Sequence, residues 1–211
     1  MPYYPVMKYE WKKQEAALYG PKTSPQLLTI PNQQFFMISG RGDPNQEDFA
    51  DRTGVLYSLA YAVRMMPKSG ITPPGYGAYT VYPLEGIWSA TDITTVKDKS
   101  TYIYTLMIRQ PDFVTPEIAE QARAITRKKK PHPLLDAVRF DEIEAGLSVQ
   151  MLHIGSYDNE PASFAKMHAF MEQARLIRKD EAHHQEIYLS DPRRVEQHKL
   201  KTILRYKVKH I

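Results

Sequence analysis

Apolar positions along this sequence change period several times, and each change marks the edge of a structural element. The first 30 residues hold no sustained period: Tyr3, Tyr4 and Trp11 sit among charges and prolines, which reads as an irregular arm with one helical turn near Lys12 to Leu18. Gln34 to Gly40 is apolar and β-prone, and Gly40, Gly42, Asp43 and Pro44 supply the turn that ends it. Arg52, Leu56, Leu59, Val63 and Met66 then recur at helical spacing behind an acidic start of Glu47, Asp48 and Asp51, which suits the positive end of a helix dipole. Pro67 to Gly75 closes that helix, and two strand-like runs follow, Gly77 to Ser89 and Thr101 to Gln110, joined by a polar hairpin loop.

Thr115, Pro116 and Glu117 form a helix start, with a capping hydroxyl, a proline where its missing N–H costs nothing, and an acid behind it. Ile118, Ala122 and Ile125 give that helix a narrow apolar stripe, and Arg127 to Lys130 end it before Pro131 and Pro133. Val138 to His153 reads as strand broken at Gly146, a helix carries Phe164, Met167, Met171 and Ala174 on one face, and His184 to Leu189 and Lys201 to Lys209 read as strands.

The order strand, helix, strand, strand thus occurs twice. Glu85-Gly86-Ile87-Trp88 aligns with Gln185-Glu186-Ile187-Tyr188, and Thr101 to Ile108 with Lys201 to Val208. The expected organisation is an arm (1–30) and one α+β domain (31–211) of duplicated βαββ modules with pseudo-twofold symmetry. The first half spans about 31–114, the crossover helix 115–130, and the second half about 135–211.

Composition narrows the chemistry. With 211 residues the chain can bury a core without staples, and it has no cysteine, which removes thiol nucleophiles, thiolate metal sites and disulfides and fits a cytoplasmic protein. No apolar run has signal-peptide or membrane-span length, so no membrane partner is expected. The net charge of +4 is concentrated at one end, where Arg193 to Ile211 holds seven Lys or Arg against one Glu. Those cations alternate with Ile203, Leu204, Tyr206 and Val208 as on an exposed strand face, so no nucleic-acid partner is expected.

No nucleophile elbow, phosphate loop or dinucleotide fingerprint is present, and no cofactor is expected. His183 and His184 are adjacent, so in a strand they point to opposite faces and do not share a metal ion. The candidate is instead Glu186. Strand alternation sends Ile187 and Leu189 toward a helix-covered core and displays Glu186 with Tyr188 on the other sheet face. If that face is open water, Glu186 is an ordinary solvated acid; if the two half-sheets meet across a groove, the same parity groups Trp88 with Tyr82, and Tyr104 with Tyr102 on a neighbouring strand. A carboxylate among indole and phenol faces is partly desolvated and attracts flat, lipophilic, often cationic guests.

The string His184 to Arg194, HQEIYLSDPRR, with Leu200 to Leu204, resembles the C-terminal signature of the gyrase-inhibitor-like family, and Val149 to Tyr157 is similar to the strand and turn that open that family's second half. The resemblance implies a duplicated βαββ fold with a ligand cleft on the pseudo-twofold axis, shared with the effector-binding domains of multidrug-responsive transcription activators. It implies that the acid at position 186 lies deep in the cleft and meets cationic drugs. Some members that stand alone hydrolyse cyclopropane-bearing DNA-alkylating compounds with that acid as the key group. The thirty residues before the first strand leave no room for the activators' DNA-binding helices.

On this basis Glu186 is expected to activate water, and Tyr188 or Tyr104 to hydrogen-bond the oxygen that gains charge. Trp88, Tyr82, Tyr102 and His184 are expected to hold the ligand. Two alternatives are a binder that sequesters lipophilic cations without chemistry, and an interaction module that inhibits a partner such as DNA gyrase.

Overall fold

The computed structural model describes residues 8–90 and 98–211. Most of the hairpin loop expected between the strands of the first half lies outside those residues. Two single helical turns, α1 (Trp11–Gln14) and α2 (Ala16–Tyr19), precede β1 (Gln26–Ile30). The first repeat is β2 (Gln33–Arg41), α3 (Glu47–Met65), β3 (Leu84–Ala90) and β4 (Tyr102–Gln110). After α4 (Pro116–Lys129) and β5 (Arg139–Ile143), the second repeat is β6 (Gly146–Ile154), α5 (Glu160–Gln173), β8 (His184–Tyr188) and β9 (Lys201–His210), with the short β7 (Leu176–Arg178) beyond α5.

All the paired strands are antiparallel, in the order β1-β6-β9-β8-β3-β4-β2-β5, with β7 against the end of β9. Read from β6 to β2 that order is palindromic by repeat, which is the pseudo-twofold arrangement. The axis falls between β3 and β8, where Gly86 pairs with Glu186 and Trp88 with His184.

The alignment of Glu85–Trp88 on Gln185–Tyr188 fits this register, but the second alignment slips. Trp88 pairs with Tyr104 while Tyr188 pairs with Thr202, so Tyr104 corresponds to Thr202 and β4 is shifted by two residues relative to the string match. An even slip preserves which side chains share a face, so the alternation pattern alone does not detect it.

Both repeat helices lie on one face of the sheet. Arg52 of α3 reaches over Gly40, and Ser163 of α5 hydrogen-bonds His153 Nδ1 at 3.0 Å; Gly40 and His153 occupy matching positions beside Tyr104 and Thr202. The side chains of Glu186 and Tyr188 are on this helix-bearing face, which corrects the expectation that they point away from the helices. Ile187 is fully buried on the far face. Alternation opposes 186 to 187 but does not say which side the helices take, and here both sides of the central strands are covered.

The far face is covered by α1 and α2. Trp11 and Tyr19 join the main core, and Trp11 Nε1 donates to the Val81 carbonyl at 3.0 Å. Beneath them lies a polar layer in which Arg109 is ion-paired with Glu15, Gln185 donates to Glu85 at 2.6 Å, and Arg205 donates to Gln150 at 2.8 Å. Gln150 in turn donates to the carbonyls of Ala17 and Leu18, tying the arm to β6.

Glu85 is fully buried, and desolvation pushes its carboxyl up to about 7 against the pull of Arg205 and the Gln185 hydrogen bond. The native state therefore keeps this proton after the unfolded chain has lost it, so the group's contribution to stability falls as pH rises from about 4.5 to about 7. At ~1.36 kcal/mol per unit that is about 3 kcal/mol, and E85Q removes it. Urea unfolding at pH 5 and pH 7.5 checks this: the difference in stability between E85Q and the parent chain changes in favour of E85Q at the higher pH.

Candidate functional site

Glu186 is 7% exposed, and each of its oxygens is held. His184 Nε2 donates to Oε1 at 2.8 Å and the Tyr188 hydroxyl donates to Oε2 at 2.7 Å. All three residues share a face of β8 because they are two apart in a strand. Tyr188 accepts in turn from Trp88 Nε1 at 2.7 Å, across the boundary between the repeats. Trp88 and Tyr188 are equivalent positions of the two repeats, so the symmetry-related pair is bonded to itself over the axis.

That bond depends on Gly86. A Cβ at this position would stand 2.5 Å from Trp88 Nε1, so the indole lies over bare backbone at the place where the other repeat carries Glu186. Tyr104 uses the same device on the next strands: a Cβ at Gly40 would stand 2.4 Å from its ring.

Around Trp88 the rings pack closely. Tyr104 lies at 5.2 Å, Tyr102 meets it edge-on at 5.9 Å, and Phe49 of α3 stacks at 6.0 Å. On the other side Tyr157 is edge-on to Tyr188 at 6.2 Å, and Phe164 of α5 is edge-on to His184 at 5.0 Å. Burial pushes the Tyr188 phenol well above its ordinary range, with the adjacent Glu186 charge acting in the same direction, so the phenol stays a donor.

The structure thus brings Glu186, Tyr188, His184, Trp88, Tyr102 and Tyr104 into one cluster. Tyr82 does not join it. Its hydroxyl donates to Glu15 at 2.6 Å and its ring faces Trp11, Tyr19 and Arg109 on the far side of the sheet. Pro83 has no N–H for the ladder and β3 starts only at Leu84, so the alternation that grouped Tyr82 with Trp88 does not extend that far.

Tyr104 is in the cluster as a wall, with its hydroxyl donated to Asp48 at 3.3 Å. Sequence reasoning did not pick out Phe49, Tyr157 or Glu160, which reach the site from the starts of the two helices. The spacing of Tyr157, Glu160 and Phe164 is the signal that could have found them, because it places a phenol, an acid and an aromatic ring along one side of a helix start.

One surface recess of about 460 Å³ runs between α3 and α4 past Tyr57, Tyr61 and Lys129, and neither it nor a shallow hollow along α4 borders Glu186.

The family model of the GyrI-like small molecule binding domain matches residues 23–207. No curated protein matches the sequence. Among solved structures the chain is similar to a hydrolase from Listeria innocua, with 38% identity, a TM-score of 0.89, and coverage of 96% of this chain and 100% of that one. An uncharacterized conserved protein from Listeria innocua matches at 40% identity and a TM-score of 0.88 over the same shares. The EcmrR C-terminal domain shares the fold at 14% identity, with a TM-score of 0.52 and coverage of 89% of this chain and 98% of that one. No helix among the described residues is long and apolar enough to cross a membrane.

The Trp88 bond is open to a direct test. G86A forces the indole off the backbone and breaks its bond to Tyr188, with a loss of about 1–3 kcal/mol in urea unfolding and a shift in tryptophan emission. G146A, where an added Cβ meets nothing within 4 Å, is the control and leaves both readouts unchanged.

Proposed function

Because the chain belongs to the GyrI-like small-molecule-binding family, we propose that Glu186 is the general base of a hydrolase that opens cyclopropane-bearing, electrophilic small molecules, a protective activity against alkylating toxins. The observation that carries this reading is the buried carboxylate held by His184 and Tyr188. A carboxylate offers about four lone-pair sites, and two donors leave room for a water. Buried among rings, the acid acts on that water with little screening.

In the step so envisaged, Glu186 takes a proton from water while the water oxygen attacks the ring methylene. The carbon–carbon bond breaks, and its electrons pass into a conjugated carbonyl of the substrate. Tyr188 and His184 fix the direction of the carboxylate, and Trp88 ties Tyr188 in place. Trp88, Tyr102, Phe49 and Phe164 offer flat surfaces that orient an aromatic guest over the acid, where holding the reacting atoms in line lowers the barrier.

Sequestration of lipophilic cations without chemistry is the second reading. It is favoured by the aromatic rings around a single buried charge, since each ring face adds ~0.5–2 kcal/mol of cation–π attraction. Inhibition of a protein such as DNA gyrase would make no use of the buried acid.

E186Q separates these readings. With a cyclopropane-bearing alkylator followed by mass spectrometry, the variant is expected to lose at least ~100-fold in turnover, while binding of a neutral aromatic ligand, followed by tryptophan quenching, is retained. Turnover by E186Q at the parent rate removes Glu186 from the chemistry. Saturable binding with no product from the parent protein supports sequestration.

A further inference from the structure

Glu160 is a second buried acid to which the reaction above gives no part. It opens α5, is 7% exposed, and its Oε1 has no hydrogen-bond partner among the described residues. Its position is bracketed by two ring contacts. Tyr157, three residues earlier, meets Tyr188, and Phe164, four residues later, meets His184. Those two partners are the donors that hold Glu186. Residues three and four apart at a helix start share a side, so Glu160 lies between those two contacts on the side of α5 turned to the site.

An acid in the first turn of a helix is ordinarily favoured in its charged form. Here burial pushes the Glu160 carboxyl well above the usual carboxylate range, and the charges of Glu186 and Asp158 push in the same direction. The other ionisable groups around it are neutral phenols: Tyr102 on β4, Tyr157 on its own turn, Tyr188 on β8 and Tyr206 on β9, each raised by burial first. Two histidines lie nearby: His184 on β8 is engaged with Glu186, and His153 on β6 is engaged with Ser163 and the Ser156 carbonyl. A buried carboxyl that keeps its proton near a second acid is suited to giving that proton away.

We propose that Glu160 is the proton donor of the ring-opening reaction in which Glu186 is the base; this inference rests on the hydrolytic reading of Glu186. Water gives a proton to Glu186 as its oxygen bonds to the ring methylene. The cyclopropane carbon–carbon bond breaks, and its electron pair is relayed through the conjugated system to the carbonyl oxygen, which takes the proton of Glu160. The substrate has gained one water, Glu186 is protonated and Glu160 is ionised. Return of a proton from Glu186 to Glu160 restores both.

The test uses the full chain, a cyclopropane-bearing conjugated dienone as probe, and the variants E160Q, E160D and E186Q. E160Q is expected to slow turnover by ~100-fold or more while probe binding, read by tryptophan quenching, stays within about threefold. The parent rate is expected to fall on the alkaline side as Glu160 loses its proton, and this limb is absent from E160Q.

E160D, which keeps an acid at the helix start, recovers part of the rate together with the limb. If E160Q folds poorly by circular dichroism, E160D decides: slowed turnover with a displaced alkaline limb supports the role, and an unaltered rate and profile overturn it. E160Q with parental rate and pH profile makes Glu160 a helix-starting acid only. Loss of activity in E186Q beside an unchanged E160Q overturns the donor role alone, whereas a parent protein that opens no cyclopropane overturns the reading of Glu186 as well.

Discussion

The antiparallel pairing of β3 with β8 sets Gly86 opposite Glu186 on the pseudo-twofold axis, and the remainder of the site follows from that junction. Taking a carboxylate out of water carries a cost of several kcal/mol unless hydrogen bonds replace its hydration. Three side chains from both repeats do so here: His184 and Tyr188 directly, and Trp88 through Tyr188. The two halves are therefore joined by a hydrogen-bond chain as well as by a backbone ladder, and the acid is the end point of that chain.

A duplicated scaffold carries an asymmetric site because corresponding positions diverged in size and charge. Gly86 answers Glu186, Trp88 answers Tyr188, Tyr104 answers Thr202 and Gly40 answers His153. In each case where the first repeat has the large ring, it also has a glycine beneath it. The first repeat thus supplies aromatic surface, and the second supplies the acid and its donors. At the helix starts the likeness persists in sequence, Glu47 for α3 and Glu160 for α5, but only the second lies among the site residues and is buried.

The sheet floor under this site is itself polar and closed. Glu85, Gln185, Arg205, Gln150 and Arg109 form a layer on the face opposite Glu186, capped by α1 and α2. Buried ionic and amide groups of this kind add little net stability but strongly disfavour alternative packings that would leave them unpaired. This layer fixes the arm across β4, β6 and β9, and with it the strands that carry the site.

Local pattern determined the elements and most of the site. The helical spacing behind Glu47, the Thr115-Pro116-Glu117 start and the break at Gly146 all correspond to observed boundaries, and the alternation of His184, Glu186 and Tyr188 places them together. These features depend on residues a few positions apart, whose relation the chain's own geometry sets.

Tertiary structure decided which face the helices cover, that Tyr82 turns to the far side, that β4 matches β9 with a two-residue slip, and that Glu160 is buried at the start of α5. Each of these relates segments far apart in the chain. Strand parity says which side chains share a side but carries no information about what is laid against that side, and only packing supplies it.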